Sequence, residues 1–352
     1  MRLWGTCLFV AGMLMLLPLQ SAVTACDCDF TATISLDDRL ASELANETFL
    51  YTELNLSDRE SIKNILENSE KIQSILEYFG INEDGLMFND SLVIMINETD
   101  RYVMVPLNLT TGNQWNVTVN VTNEETNETT PMTFIGDFAA VNAYISGGEV
   151  INANWLEIEK IAGGLLYTLS NGNKTIDVAT SDELGIGVTS GGVTVSGVMW
   201  DTQDGNSTNE SATPPPQPTG FLDCMKKCLW NRTRALINIS LIPIPMPIGG
   251  ALFLIGLGIA IGIAIKNFID NHPVAGGALI GGAIVSMGMP TVFSLGYCWK
   301  ECNGSGLSSI DADIYVSNEE SIITYQTYAD NVETFTVTVD KNGEINVEAG
   351  EE

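Results

Sequence analysis

Four cysteines constrain this chain more than any other feature: Cys224 and Cys228 on one side, Cys298 and Cys302 on the other, of a long apolar stretch. Each is a Cys-x3-Cys pair. On a helix, residues i and i+4 project from one face, so two antiparallel helices can close two rungs, Cys224 with Cys302 and Cys228 with Cys298. A four-cysteine zinc site is the rival, but it favours tighter spacing and a reducing compartment. The N-terminus argues for an oxidising one. Arg2 supplies a positive n-region, residues 8–19 an apolar h-region, and Val23-Thr24-Ala25 small residues before a cut at Cys26. Cys7 leaves with that signal, and Cys26 and Cys28 stand too close to pair comfortably with each other. Val23-Thr24-Ala25-Cys26 also has the form of a lipobox, which would make Cys26 a lipid-bearing N-terminus.

Between the cysteines, residues 235–265 and 273–297 carry no charge. Pro243, Pro245 and Pro247 forbid a helix at the start, so the first apolar helix is expected over 248–269. Roughly twenty residues at about 1.5 Å each span about 30 Å, the thickness of a bilayer core. Asp270-Asn271-His272-Pro273 makes a turn, and a second helix is expected from 275, kinked near Pro290. Gly258 with Gly262, and Gly277 with Gly281, supply the small-residue spacing that lets apolar helices pack closely in lipid. At the cysteine end, Trp230, Tyr297 and Trp299 are expected at the membrane interface, and Lys226, Lys227, Arg232 and Arg234 at anionic headgroups.

The formal charge of −29 hides an asymmetry. From Cys224 to Cys302 there are six bases and two acids, a net of +4; the remaining nine bases and forty-two acids give −33. So acidic a chain excludes a nucleic-acid binder resting on a basic surface. His272 is the one histidine, which excludes a histidine-based triad or a His-rich metal site. No paired carboxylates in a catalytic frame, nucleophile elbow or phosphate loop is legible, so neither an enzyme nor a cofactor is expected. Fourteen Asn-x-Ser/Thr acceptors occur, at Asn46, Asn55, Asn89, Asn97, Asn108, Asn116, Asn120, Asn127, Asn173, Asn206, Asn209, Asn231, Asn238 and Asn303. That density points to a glycosylating exterior. With the lipobox-like signal and the acidic surface, it has the pattern of an archaeal cell-surface protein.

The expected fold is an α+β ectodomain, a disulfide-stapled apolar α-helical hairpin and a C-terminal β segment. The segments are a signal peptide (1–25), the ectodomain (26–200), a polar Pro-rich linker (201–220), the Cys-bracketed hairpin (221–303) and an acidic β-rich tail (304–352). In the ectodomain, Ser57 and Glu60 form a capping box, followed at helical spacing by Ile62, Ile65, Leu66, Ile72, Ile75, Leu76 and Phe79, with Gly80 as the stop. Strands are expected over 91–96, 102–107, 116–122, 175–179 and 187–199. A second helix is expected over 154–169, burying Trp155, Ile158, Ile161, Leu165 and Leu166. The tail reads as strands, either a small β unit or a set completing the ectodomain sheet.

The twin Cys-x3-Cys spacing is similar to that of short soluble helical hairpins. The wider layout resembles bacteriocin precursors of the halocin type, in which an exported acidic leader domain precedes a Gly-rich apolar cysteine module. The resemblance covers 224–302 and the general arrangement, and it implies a membrane-active effector. From the residues themselves, the first expectation is an exported surface glycoprotein whose hairpin inserts in a lipid bilayer as its own anchor. The alternatives are a bacteriocin-like toxin precursor and a fusion glycoprotein with a disulfide-bracketed internal loop.

Overall fold

A computed structural model describes residues 28–39, 42, 47–109, 116–189, 192–200, 220–239, 289–303, 307–317, 319–328 and 332–350. The export segment with Cys26, residues 201–219 of the linker, and residues 240–288 with Gly258, Gly262, Gly277 and Gly281 lie outside the described residues.

The described chain is mostly β. It begins with β1 (Cys28–Leu36), β2 (Thr48–Leu50), β3 (Leu92–Met95) and β4 (Arg101–Leu107). Then come β5 (Asn116–Asn123), β6 (Glu128–Ile135), β7 (Phe138–Ser146) and β8 (Glu149–Ile161). Next are β9 (Gly164–Ser170), β10 (Thr175–Ser181), β11 (Gly185–Val188) and β12 (Gly192–Trp200). Beyond the cysteine module lie β13 (Ser309–Val316), β14 (Glu320–Tyr328), β15 (Val332–Asp340) and β16 (Ile345–Ala349). All belong to one sixteen-stranded sheet, whose main path is β16-β15-β14-β13-β1-β12-β10-β9-β8-β7-β4-β3-β2. The sheet forks at β12. One edge of that strand is taken by β1; the other is shared by β10, opposite Met199 and Trp200, and by β11, opposite residues 193–196. From β11 the second branch continues through β5 to β6.

This architecture overturns the expected α+β ectodomain with its apolar helical hairpin, and of the two arrangements open to the C-terminal tail it shows the one that completes the ectodomain sheet. Strand β13 pairs in parallel with β1 from Asp29–Ser309 to Leu36–Val316, so the C-terminal strands extend the ectodomain sheet. Parallel neighbours need a long crossover, here nearly the whole intervening chain, which is why local pattern could not announce the pairing. The helix expected over 154–169 is the β8–β9 hairpin, turning at Ala162-Gly163 with Gly163 at φ +92°. Both faces of β8 are buried, with Ala153 and Trp155 on one and Leu156 and Ile158 on the other. Apolar residues of both parities imitate a 3.6-residue period. Of the expected hairpin, the described residues hold only two flanking helices, α3 (Phe221–Ile239) and α4 (Met289–Asn303).

Helical structure forms where the apolar spacing places it, but as two helices, α1 (Leu56–Glu67) and α2 (Glu70–Tyr78), broken at Asn68-Ser69 instead of one continuous run to Gly80. The cap differs: Asn55 Oδ1 accepts the Asp58 N–H at 2.9 Å, in place of the Ser57/Glu60 box. Ile62, Leu66, Ile72 and Leu76 are buried from these helices against Val103, Val105, Val141 and Trp155 of the sheet. Each such side chain contributes about 1.5–3 kcal/mol on full burial. A second core gathers side chains of the opposite parity. Phe30, Ala32 and Ile34 of β1 align in register with Ile310, Ala312 and Ile314 of β13, and the stapled helices α3 and α4 join that core.

Candidate functional site

Helices α3 and α4 are joined by both expected rungs. Cys224–Cys302 and Cys228–Cys298 are disulfides, with Cα separations of 5.7 and 5.5 Å. The rungs fix the two helices antiparallel. Extending their register along both helices brings Ile237 opposite Met289, so residues 239 and 289 leave the body at the same end, about 8–10 Å apart for packed helices. The described residues that flank 240–288 therefore lie at one end of the helix pair.

One stripe of α3 is buried, with Met225, Leu229, Thr233 and Leu236 recurring at helical spacing. In α4 burial is broader and includes Val292, Leu295, Cys298 and Trp299. Phe221 meets the Trp299 ring edge-on at 5.0 Å and faces Phe335 of β15 at 6.5 Å. Tyr325 of β14 donates its buried hydroxyl to the Thr291 carbonyl at 3.2 Å. A methyl group placed on Gly296 would stand 3.3 Å from Ile310 of β13, so that glycine lets α4 approach the sheet closely. The base of the cysteine module is thus core, fastened to the strands on either side of it in sequence.

The sequence-predicted interface residues take different places. Trp299 is 4% exposed and committed to packing within the protein. Trp230 is half-buried, with the Arg234 guanidinium 5.1 Å from its ring, while Arg234 itself is exposed. Arg232 lies 4.2 Å from the centroid of Tyr297 and 5.5 Å from that of Phe293, a cation–π clamp between the two helices. Sequence reasoning missed that clamp; its one signal was an arginine and two aromatics on facing helices of known register. Lys226 is half-buried and Lys227 exposed. The outward stripe of α3 carries Asp223, Lys227, Asn231, Arg234 and Asn238, so two glycan acceptors share its face with two bases.

Eleven of the fourteen acceptor asparagines fall on described residues: Asn55, Asn89, Asn97, Asn108, Asn116, Asn120, Asn127, Asn173, Asn231, Asn238 and Asn303. All eleven are exposed. By contrast Asn142 and Asn154, which head no acceptor motif, are buried and bonded to each other at 2.9 Å. Asn46, Asn206 and Asn209 lie outside the described residues.

Among the described residues, no helix is long and apolar enough to cross a membrane, and no three His, Cys, Asp or Glu side chains converge to hold a metal ion. The four module cysteines are consumed in disulfides, which removes the zinc alternative. No protein-family model, curated protein or solved structure matches this chain.

Proposed function

We propose that this chain is an exported, N-glycosylated cell-surface protein held at a lipid bilayer by its disulfide-bounded apolar segment, residues 240–288. The observation that carries this reading is the antiparallel, doubly stapled α3–α4 pair, which brings the described residues flanking that segment to one end of a folded body. The main core is assembled from residues on either side of the segment, and the second core from residues 49–155 alone. A stretch this long and apolar, with one lysine and one aspartate between Ile239 and Met289, calls for a non-aqueous environment. Exposure of every described acceptor asparagine is what a glycoprotein requires.

The burial of Met225, Leu229, Leu295 and Trp299 in the main core favours a resident anchor over a released toxin. Cutting out 221–303 would expose that surface on both fragments. The experiment is liposome flotation of the purified chain beside a variant in which 240–288 is replaced by a short Gly/Ser linker. The wild-type protein is expected in the lipid fraction and the variant in the aqueous fraction, with both disulfides formed and an unchanged melting transition. Equal flotation of both proteins would refute the assignment.

A further inference from the structure

A cavity of about 660 Å³ opens between α2 and strands β8, β9 and β10. That is the size of a small-molecule site. We infer that this cavity binds a small organic cation, an alkylammonium or guanidinium head on a short stem, between an aromatic wall and three carboxylates.

The aromatic wall is Tyr78 at the C-terminal end of α2. Its ring stacks on Trp155 with centroids 4.7 Å apart and planes 24° from parallel, and Phe79 closes edge-on against both. Trp155 is buried, but Tyr78 remains 63% exposed. A large ring held in place with one face open is the arrangement that attracts a cation to its π-face.

The carboxylates are Glu157 and Glu159 of β8 and Asp177 of β10, all lining the cavity. Strand pairing sets Glu157 beside Thr168 and Thr168 beside Asp177, one row across three strands, while Glu159 lies two residues along on the same face. Among the described residues none of the three has an ion-pair partner. Asp177 Oδ1 is buried with no hydrogen-bond donor to it, an orphan acceptor of the kind that marks a missing ligand. The nearest cation on the wall, Lys71, donates its ammonium to the Val150 carbonyl at 2.8 Å. Burial, and then Glu159, Asp137 and Asp177, push the Glu157 carboxyl up to about 7; burial, and then Glu157, Glu159 and Asp177, raise the Tyr78 phenol. The site is charged against itself, and an incoming cation relieves it.

The spacing decides what kind of cation fits. Because these carboxylates do not converge as metal ligands, a spherical ion cannot satisfy them together. A cation with several donors and an apolar stem can reach the carboxylates and the Tyr78 face at once.

Binding is measured by calorimetry on the full mature chain carrying Asn173→Gln, which keeps a glycan off the cavity rim. The probes are agmatine, spermidine and a blocked lysine tripeptide, with maltose and calcium chloride as rivals. The free amines and the tripeptide distinguish a dissolved ligand from a partner's side chain. Agmatine or spermidine, or the tripeptide, is expected to bind. Affinity should rise with pH through about 7, as Glu157 ionises beside Glu159, Asp137 and Asp177, facing Lys71 and Tyr78. Glu157→Gln and Tyr78→Ala should each weaken binding about fivefold to tenfold, and Glu157→Gln should flatten the pH profile. Glu183→Gln, which removes an exposed charge elsewhere, should leave binding unchanged. A melting curve on each variant separates lost binding from lost fold. Preference for maltose or calcium, no binding of any amine at millimolar concentration, or equal binding by the folded Glu157→Gln and Tyr78→Ala proteins would overturn the inference.

Discussion

The two rungs between α3 and α4 should contribute unequally, according to the order in which they are removed. In the double variant Cys228→Ala/Cys298→Ala, the Cys224–Cys302 bond survives. With that bond in place, the lost rung closed a loop of only about eight to ten residues in the unfolded chain, which corresponds to about 2.5 kcal/mol of chain entropy at 25 °C. Removing all four cysteines also frees the long loop. The bonded pairs are 78 and 70 residues apart in sequence, and a loop of that size adds about 4.5 kcal/mol. The four-cysteine variant should therefore lose about 7 kcal/mol, a large part of the roughly 5–15 kcal/mol that holds a typical domain together. Urea unfolding followed by tryptophan fluorescence and by circular dichroism measures both variants, and coincidence of the two probes tests the two-state assumption. Two results would refute the reasoning. One is an inner-rung variant as destabilised as the four-cysteine variant; the other is peptide mapping that joins Cys224 to Cys298.

Three further outcomes follow from the sheet. Trp155→Ala removes the ring packed between Tyr78, Phe79 and α2 and should cost about 3–5 kcal/mol in the same urea assay. Truncation after residue 303 deletes β13 and leaves Phe30, Ala32 and Ile34 without their in-register partners, so gel filtration and circular dichroism should find no folded body. Because the folded Glu157 carboxyl titrates at about 7, above its ordinary 4.5, its contribution to stability is complete below about 4.5 and is lost as pH rises through about 7. Melting temperature should fall across that window, and Glu157→Gln should flatten the fall.

The local parts of this fold were legible. Ile62, Leu66, Ile72 and Leu76 recur at helical spacing because they cover only one face of α1 and α2. The Cys-x3-Cys pairs announced their own register because two i,i+4 pairs on facing helices admit one ladder. The β8–β9 hairpin is not legible because a strand buried on both faces loses its period-2 signature. The same loss conceals the acidic cavity. On a helix Glu157 and Glu159 would point about 200° apart, whereas on a strand they share a face. Trp299 and Arg232 illustrate a second limit. An aromatic or an arginine beside an apolar run looks interfacial in sequence, and only the packing of α3 and α4 onto β13, β14 and β15 makes one of them core and the other a clamp.

The central claim, that residues 240–288 meet lipid while the β-rich body stays in water, is tested most directly by labelling with a photoactivatable lipid probe. The protein is bound to liposomes, irradiated, digested and mapped by mass spectrometry. Labelled peptides are expected from 240–288 alone, with the exposed stripe of α3 around Asn231 and Asn238 unlabelled. Labelling spread over the sheet, or a lipid-bound protein in which 240–288 stays unlabelled, would contradict a membrane role for that segment.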